Sequence, residues 1–122
     1  MCIRDSNKRV AHLAKLLLKH GVPSAVSLVS PYLENRSSAR GIVDAGNQFA
    51  ECYVKCSLEK CEERDVKGMY AKARRGEIKG FTGIDDPYEA PENADLIIDT
   101  EHETLSDSAD KVRIFLREHG LL

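Results

Sequence analysis

Three short apolar runs, AVSLV at 25–29, FAECYVKC at 49–56 and LIIDT at 96–100, alternate with stretches of helical periodicity. That alternation most limits the folds open to this chain. Apolar runs of strand length suit strands buried on both faces, and strands joined through helices pair in parallel. The first helical stretch is 7–20, with Val10, Leu13, Ala14, Leu17 and Leu18 at i, i+3, i+4 spacing ahead of Gly21. A second begins at the Ser30-Pro31 break and reaches about 45. Ser57 caps a short third one, 69–75 is a basic helical turn, and Ser106 starts a last helix. In that helix Ala109, Val112, Phe115 and Leu116 face inward. The fold class is therefore α/β: a parallel sheet with helices on both faces.

Residues 64–91, RDVKGMYAKARRGEIKGFTGIDDPYEAP, break this alternation. Arg64, Lys67, Lys72, Arg74, Arg75 and Lys79 precede a glycine-rich turn that carries one aromatic, Phe81. The loop over 76–93 is long for a chain of 122 residues, and such loops are usually functional or disordered. Gly80 and Gly83 bracket Phe81, which favours function, because glycines let backbone approach a ligand closely. Cations beside a ring that can stack on a base suit a nucleotide bearing several phosphates. The net charge of −2 makes this basic character local, with no global pull toward nucleic acid or anionic membranes. No apolar run approaches the roughly 18–20 residues that span a bilayer, and MCIRDS at 1–6 lacks the apolar core of a secretory leader. The chain reads as cytoplasmic. Cys52, Cys56 and Cys61 are irregularly spaced and Cys2 stands apart, so the expectation is buried free thiols and no metal site. His12, His20, His102 and His119 are scattered and read as solvated.

Three patches carry the chemistry. Ser27-Leu28-Val29-Ser30-Pro31-Tyr32 is a strand end turning into a helix, where free N–H groups can hold a phosphate or sulfate oxygen near Ser30. Cys61-Glu62-Glu63-Arg64-Asp65-Val66-Lys67-Gly68 offers a planar guanidinium and an ammonium. Lys79-Gly80-Phe81-Thr82-Gly83-Ile84-Asp85 offers the ring between glycines. Together they closely resemble the adenylylsulfate (APS) kinases. That family has an S-P-[YFH] turn with a downstream Arg, matched by Arg36, a C-E-x-R-D-x-K-G string, and a lid and substrate loop matching KGFTGIDDPYEAP.

The resemblance implies a P-loop NTPase-type fold and transfer of the ATP γ-phosphate to the 3′-hydroxyl of APS, making PAPS in sulfate assimilation. Mg2+ would enter with ATP as co-substrate. By resemblance Val29, Ser30, Lys67, Gly80 and Phe81 bind APS, with the Phe81 ring on its base, and Arg64 lies over the ATP adenine. Ser30 is also the family's phosphoserine candidate for catalysis, although in-line transfer between two bound nucleotides needs positioning and charge neutralisation, not a covalent step. Relatives commonly form homodimers, and some are fused to a sulfate adenylyltransferase.

The family also has G-x-x-x-x-G-K-[ST], D-G-D-x-[VIL]-R and R-x-E-N-x-R-R motifs, and none is intact here. Gly21, Gly41 and Gly46 have no Gly-Lys-Ser/Thr behind them, and only Lys8-Arg9-Val10 remains of the third motif. The expectation is an N-terminally truncated kinase. Residues 1–6 would be an artefactual leader and 7–122 the C-terminal part of the domain, with first strand and P-loop missing and the fragment inactive. The alternatives are a non-catalytic nucleotide- or sulfonucleotide-binding module, and another P-loop small-molecule kinase of nucleoside or shikimate type. KGFTGID together with SPY argues against the latter.

Overall fold

The computed structural model describes residues 3–43 and 48–122. In chain order its elements are α1 (Ile3–Lys19), α2 (Leu33–Val43), β1 (Cys52–Lys55), α3 (Leu58–Arg64), α4 (Met69–Arg74), β2 (Leu96–Asp99) and α5 (Leu105–Glu118). Cys2, Gly46 and the expected end of the second helix near 45 lie outside the described residues. Two compact units result: Met1–Glu51 with Glu89–Asn93, and Cys52–Tyr88 with Ala94–Leu122.

The first unit is built on α1 against α2. Helix α1 starts at Ile3, four residues before the periodic pattern, and carries Asp5 in its first turn, where a carboxylate favours the free amides. Its inward face is Asn7 and Ala11, with Val10, Ala14, Leu17 and Leu18 half-buried, but Leu13 is 55% exposed and leaves the expected face. Gly21 ends the helix at φ 73°, with its N–H bonded to the Leu18 carbonyl and that of Val22 to the Leu17 carbonyl. That is a Schellman closure, and it needs the left-handed residue.

The expected strand at 25–29 does not form. Among the described residues the strands are β1 and β2, which pair with each other, and this run joins no ladder and is exposed. Asn7 Nδ2 of α1 donates to the Val29 carbonyl at 3.3 Å.

In the second unit β1 and β2 run parallel in the register Cys52↔Leu96, Tyr53↔Ile97, Val54↔Ile98, Lys55↔Asp99. The sheet is parallel as expected, with two strands in place of three, and β1 is shorter than 49–56. Helix α5 packs on β2, around the buried Ile98. Its start is fixed by a capping box in which Thr104 Oγ1 accepts from Asp107 N at 3.1 Å and Asp107 Oδ2 accepts from Thr104 N at 3.0 Å. Ser108, Val112, Phe115 and Leu116 turn inward, while Ala109 is exposed, contrary to the periodic reading. The cysteines also depart from expectation: Cys52 is exposed and Cys56 and Cys61 are half-buried. In a two-stranded sheet each strand is an edge, and an edge strand cannot hide every side chain.

Candidate functional site

In the first unit the Ser-Pro turn is held by one buried guanidinium. Pro31 is fully buried and precedes α2. Arg36, one turn into α2, donates from Nη1 to the Ser30 carbonyl at 2.6 Å and from Nη2 to the Glu89 carbonyl at 2.5 Å. Its Nε lies 2.8 Å from Glu51 Oε1 as an ion pair, 8% exposed on the arginine side. Glu89 grips the same turn twice more. Its N–H donates to the Pro31 carbonyl at 2.7 Å, and its Oε2 accepts the Leu33 N–H at the start of α2 at 2.6 Å. A carboxylate there satisfies an orphan amide and complements the helix dipole. The proline-punctuated end of the long loop is thus anchored on the turn that presents Val29, exposed, and Ser30, half-buried.

The second unit holds Arg64, Lys67, Gly80 and Phe81. Its R-D-x-K-G string has a physical logic. Asp65 accepts the Tyr70 and Ala71 amides with its two carboxylate oxygens, each at 3.0 Å, so it caps α4 from outside. The Ala71 amide above all, with that of Tyr70, holds the Asp65 carboxyl below its ordinary range. Gly68 turns the chain at φ 64°, a conformation that side-chain-bearing residues rarely adopt. Between them Lys67 stands exposed.

Six lid cations do not remain six open charges. Arg74 pairs with Glu62 at 2.6 Å and Arg75 with Glu77 at 2.6 Å, and each guanidinium lowers its partner's carboxyl. Arg64 donates to the Thr100 carbonyl at 2.7 Å, which ties the end of α3 to the end of β2. Among the described residues no carboxylate pairs with Lys67, Lys72 or Lys79. The charge open to an anion is therefore chiefly ammonium.

The loop from Gly80 to Asp86 is closed by one carboxylate. Asp85 accepts the Gly80 N–H at 2.7 Å and the Phe81 N–H at 2.6 Å. The Phe81 carbonyl accepts the Ile84 N–H at 3.0 Å, and Gly83 N donates to the Asp86 carbonyl at 2.7 Å. Those amides, Gly80 first, hold Asp85 below the usual carboxylate range. A Cβ on Gly83, at φ 89°, would sit 3.3 Å from Leu58 Cδ1, so both conformation and space call for glycine there. The half-buried Phe81 ring meets Tyr70 edge-to-face, centroids 5.0 Å apart at 74°.

Sequence reasoning named Arg64, Lys67, Gly80 and Phe81 and overlooked Asp65, Asp85 and Glu89, the carboxylates that shape the backbone around them. Asp three residues before a glycine is a turn signal that points to Asp65. No short-range rule links Asp85 to Gly80 or Glu89 to Leu33.

The adenylylsulphate kinase family profile matches residues 3–99. The adenylyl-sulfate kinase of Staphylococcus epidermidis is 46% identical over 115 residues, covering 94% of this chain and 57% of that protein. That of Halothermothrix orenii is 49% identical over 120 residues, covering 98% of this chain and 63% of that protein. Among solved structures, the crystal structure of APE1195 superposes with a TM-score of 0.82 at 42% identity, over 94% of this chain and 65% of that one. The Mycobacterium tuberculosis APS kinase CysC, in complex with AMPPNP and APS, gives 0.79 at 38% identity, over 92% and 65%. The chain spans about three-fifths of the length of the curated relatives named here.

Proposed function

Since this chain belongs to the adenylylsulphate kinase family, we propose that it supplies the lid and substrate loop of an ATP:adenylylsulfate 3′-phosphotransferase that makes PAPS. The observation that carries this reading is the Gly80–Asp86 loop, closed by Asp85 beside lysines without carboxylate partners. A preformed loop presents Phe81 without ordering cost at the moment of binding, and ammonium groups meet phosphate and sulfate oxygens. Val29, Ser30, Lys67, Gly80 and Phe81 are assigned to APS and Arg64 to the ATP adenine. Ser30 positions APS through its turn and forms no covalent intermediate. The Mycobacterium tuberculosis complex with AMPPNP and APS supports ATP and APS as the two ligands.

Mg2+ belongs to ATP as co-substrate in this reading. Among the described residues no group of three or more His, Cys, Asp or Glu is gathered that could hold a metal ion. What the lid residues do is align and neutralise charge on the transferring group, which is most of phosphoryl-transfer catalysis. The 122 residues contain no G-x-x-x-x-G-K-[ST], so no backbone loop of that kind cradles the β- and γ-phosphates. By themselves they bind without transferring.

Joining the N-terminal part of the Halothermothrix orenii relative ahead of this chain and assaying PAPS formation tests the proposal. Turnover by the joined protein and none by the 122 residues alone is the expected result. A well-folded joined protein that binds APS but never phosphorylates it would favour the binding module. Turnover by the 122 residues alone would sink the account of which parts perform transfer.

A further inference from the structure

Cys56 and Cys61 flank the start of α3 in a specific relation. Ser57 is the N-cap, accepting the Lys60 N–H at 3.2 Å, so Cys56 is the residue before the cap and Cys61 the fourth residue of the helix. In helices these two positions face each other and normally hold a pair of apolar side chains that staple the entering chain to the first turn. Here both are thiols. Cys61 hydrogen-bonds Cys56 and the Tyr70 hydroxyl, and Arg64 Nη1 lies 3.8 Å from Cys56 Sγ. Both are half-buried and reduced, and Cys61 opens onto a shallow hollow of about 370 Å3 that Arg64, Asp65, Lys67 and Tyr70 also line.

We propose that Cys56 and Cys61 are a redox-active dithiol, oxidised by a small disulfide such as oxidised glutathione to an intramolecular disulfide that closes the staple covalently. One thiolate attacks the small disulfide, forms a mixed disulfide and releases one thiol equivalent. The other cysteine gives up its proton, attacks the mixed disulfide and releases the second. Two protein thiols and one small disulfide become one protein disulfide and two small thiols. Either sulfur can make the first attack, and Arg64 stands beside the pair with its Nη1 against Cys56 Sγ. Burial, with the hydrogen bond to Cys56, raises the Cys61 thiol, which suits it to the second step. Closure takes Cys61 from Tyr70 and Cys56 from Arg64, so it acts at the base of the lid without requiring any assumption about the ligand.

Trypsin cuts after Lys55, Lys60 and Arg64, which puts the two cysteines on separate peptides, CSLEK and CEER. The full chain is incubated with oxidised glutathione near pH ~8, where thiolate is available, then alkylated, digested and weighed. The expected product is CSLEK joined to CEER, two hydrogens lighter than the sum, reversed by dithiothreitol. It should form at least about tenfold faster in the folded chain than in concentrated urea, because the cap holds the sulfurs together. Cys52→Ser should leave the cross-link unchanged, and Cys56→Ser should leave Cys61 as a glutathione adduct. Alkylated CSLEK and CEER after oxidation would overturn the proposal. So would a cross-link through Cys52, or a rate unchanged by urea.

Discussion

Asp85 shows how much one carboxylate decides in this chain. It bonds the Gly80 and Phe81 amides, so the geometry of the ring-bearing loop depends on its charge. Its pKa is lowered in the folded state, so its stabilisation is fully present above the ordinary carboxylate range and is lost as pH falls through the depressed value. The Gly80 and Phe81 amide resonances should hold steady from neutral pH down past that range and then move together. In Asp85→Asn, which keeps one acceptor oxygen, they should be displaced at neutral pH and lose that acid transition; an unaltered titration in the variant would remove Asp85 from the role. Phe81 and Lys67 can be separated by ligand in the joined protein. On the proposed assignment of Phe81 to the APS base, Phe81→Ala should remove a stacking face worth about 1–3 kcal/mol and weaken APS binding roughly 5- to 150-fold. Because the ring also packs on Tyr70, a Phe81→Leu variant that keeps apolar contact but loses the aromatic face separates stacking from loop collapse. Lys67→Ala should weaken APS binding with a steeper loss at low salt, since an exposed charge contact is screened. ATP affinity should move much less in each. Equal losses for ATP and APS in separate titrations would mean the loop serves the other ligand.

Among the elements, those with local signals were legible and those needing a distant partner were not. Ser57 as a cap and the Gly21 stop follow from neighbours within a few residues, and the parallel sense of the sheet follows from apolar runs alternating with helical stretches, though which runs pair does not. The run at 25–29 has every local mark of a strand and forms none, because a strand is a relation between two segments. Leu13 and Ala109 fit the helical period yet lie outside the buried faces, since period sets which residues share a face and packing sets how wide the covered face is. In the site, Gly80 and Phe81 were visible as residue types, whereas the carboxylates at Asp85 and Glu89 that hold backbone in place work through folded geometry. Helix α5 offers a clean test of the local terms. Thr104→Ala removes one half of the capping box, a change that typically costs about 0.5–2 kcal/mol. Chemical denaturation should show that loss with an unchanged slope, and Thr104→Ser should restore most of it. A Thr104→Ala variant as stable as the parent would mean α5 is held by its packing on β2 alone.

Across the whole molecule the apolar surface is unevenly covered. Among the described residues the buried hydrophobic side chains are Ala11, Val43, Ala73 and Ile98, two of them alanines, besides the fully buried Pro31. Meanwhile Leu13, Leu16, Val26, Leu28 and Val29 of the first unit are each at least 44% exposed. At roughly 25 cal/mol per Å2 of apolar surface removed from water, a few hundred Å2 left wet forgoes several kcal/mol, comparable with a domain's entire stability. Buried charge sharpens the point. The Arg36–Glu51 pair sits in this same unit, and such a pair is strongly destabilising once one partner is lost. The 122-residue chain should therefore unfold over a broad temperature range and bind an apolar dye at temperatures where its secondary structure is intact. Joining the N-terminal part of the Halothermothrix orenii relative should suppress that dye signal and sharpen the transition, whether or not the joined protein is active. The two readouts separate a covered surface from a working site: loss of dye binding without turnover would leave the packing argument standing and the catalytic one refuted. A sharp, dye-silent transition in the 122 residues alone would show that the exposed leucines and valines are tolerated, and that the alanine-rich core with its buried ion pair is sufficient.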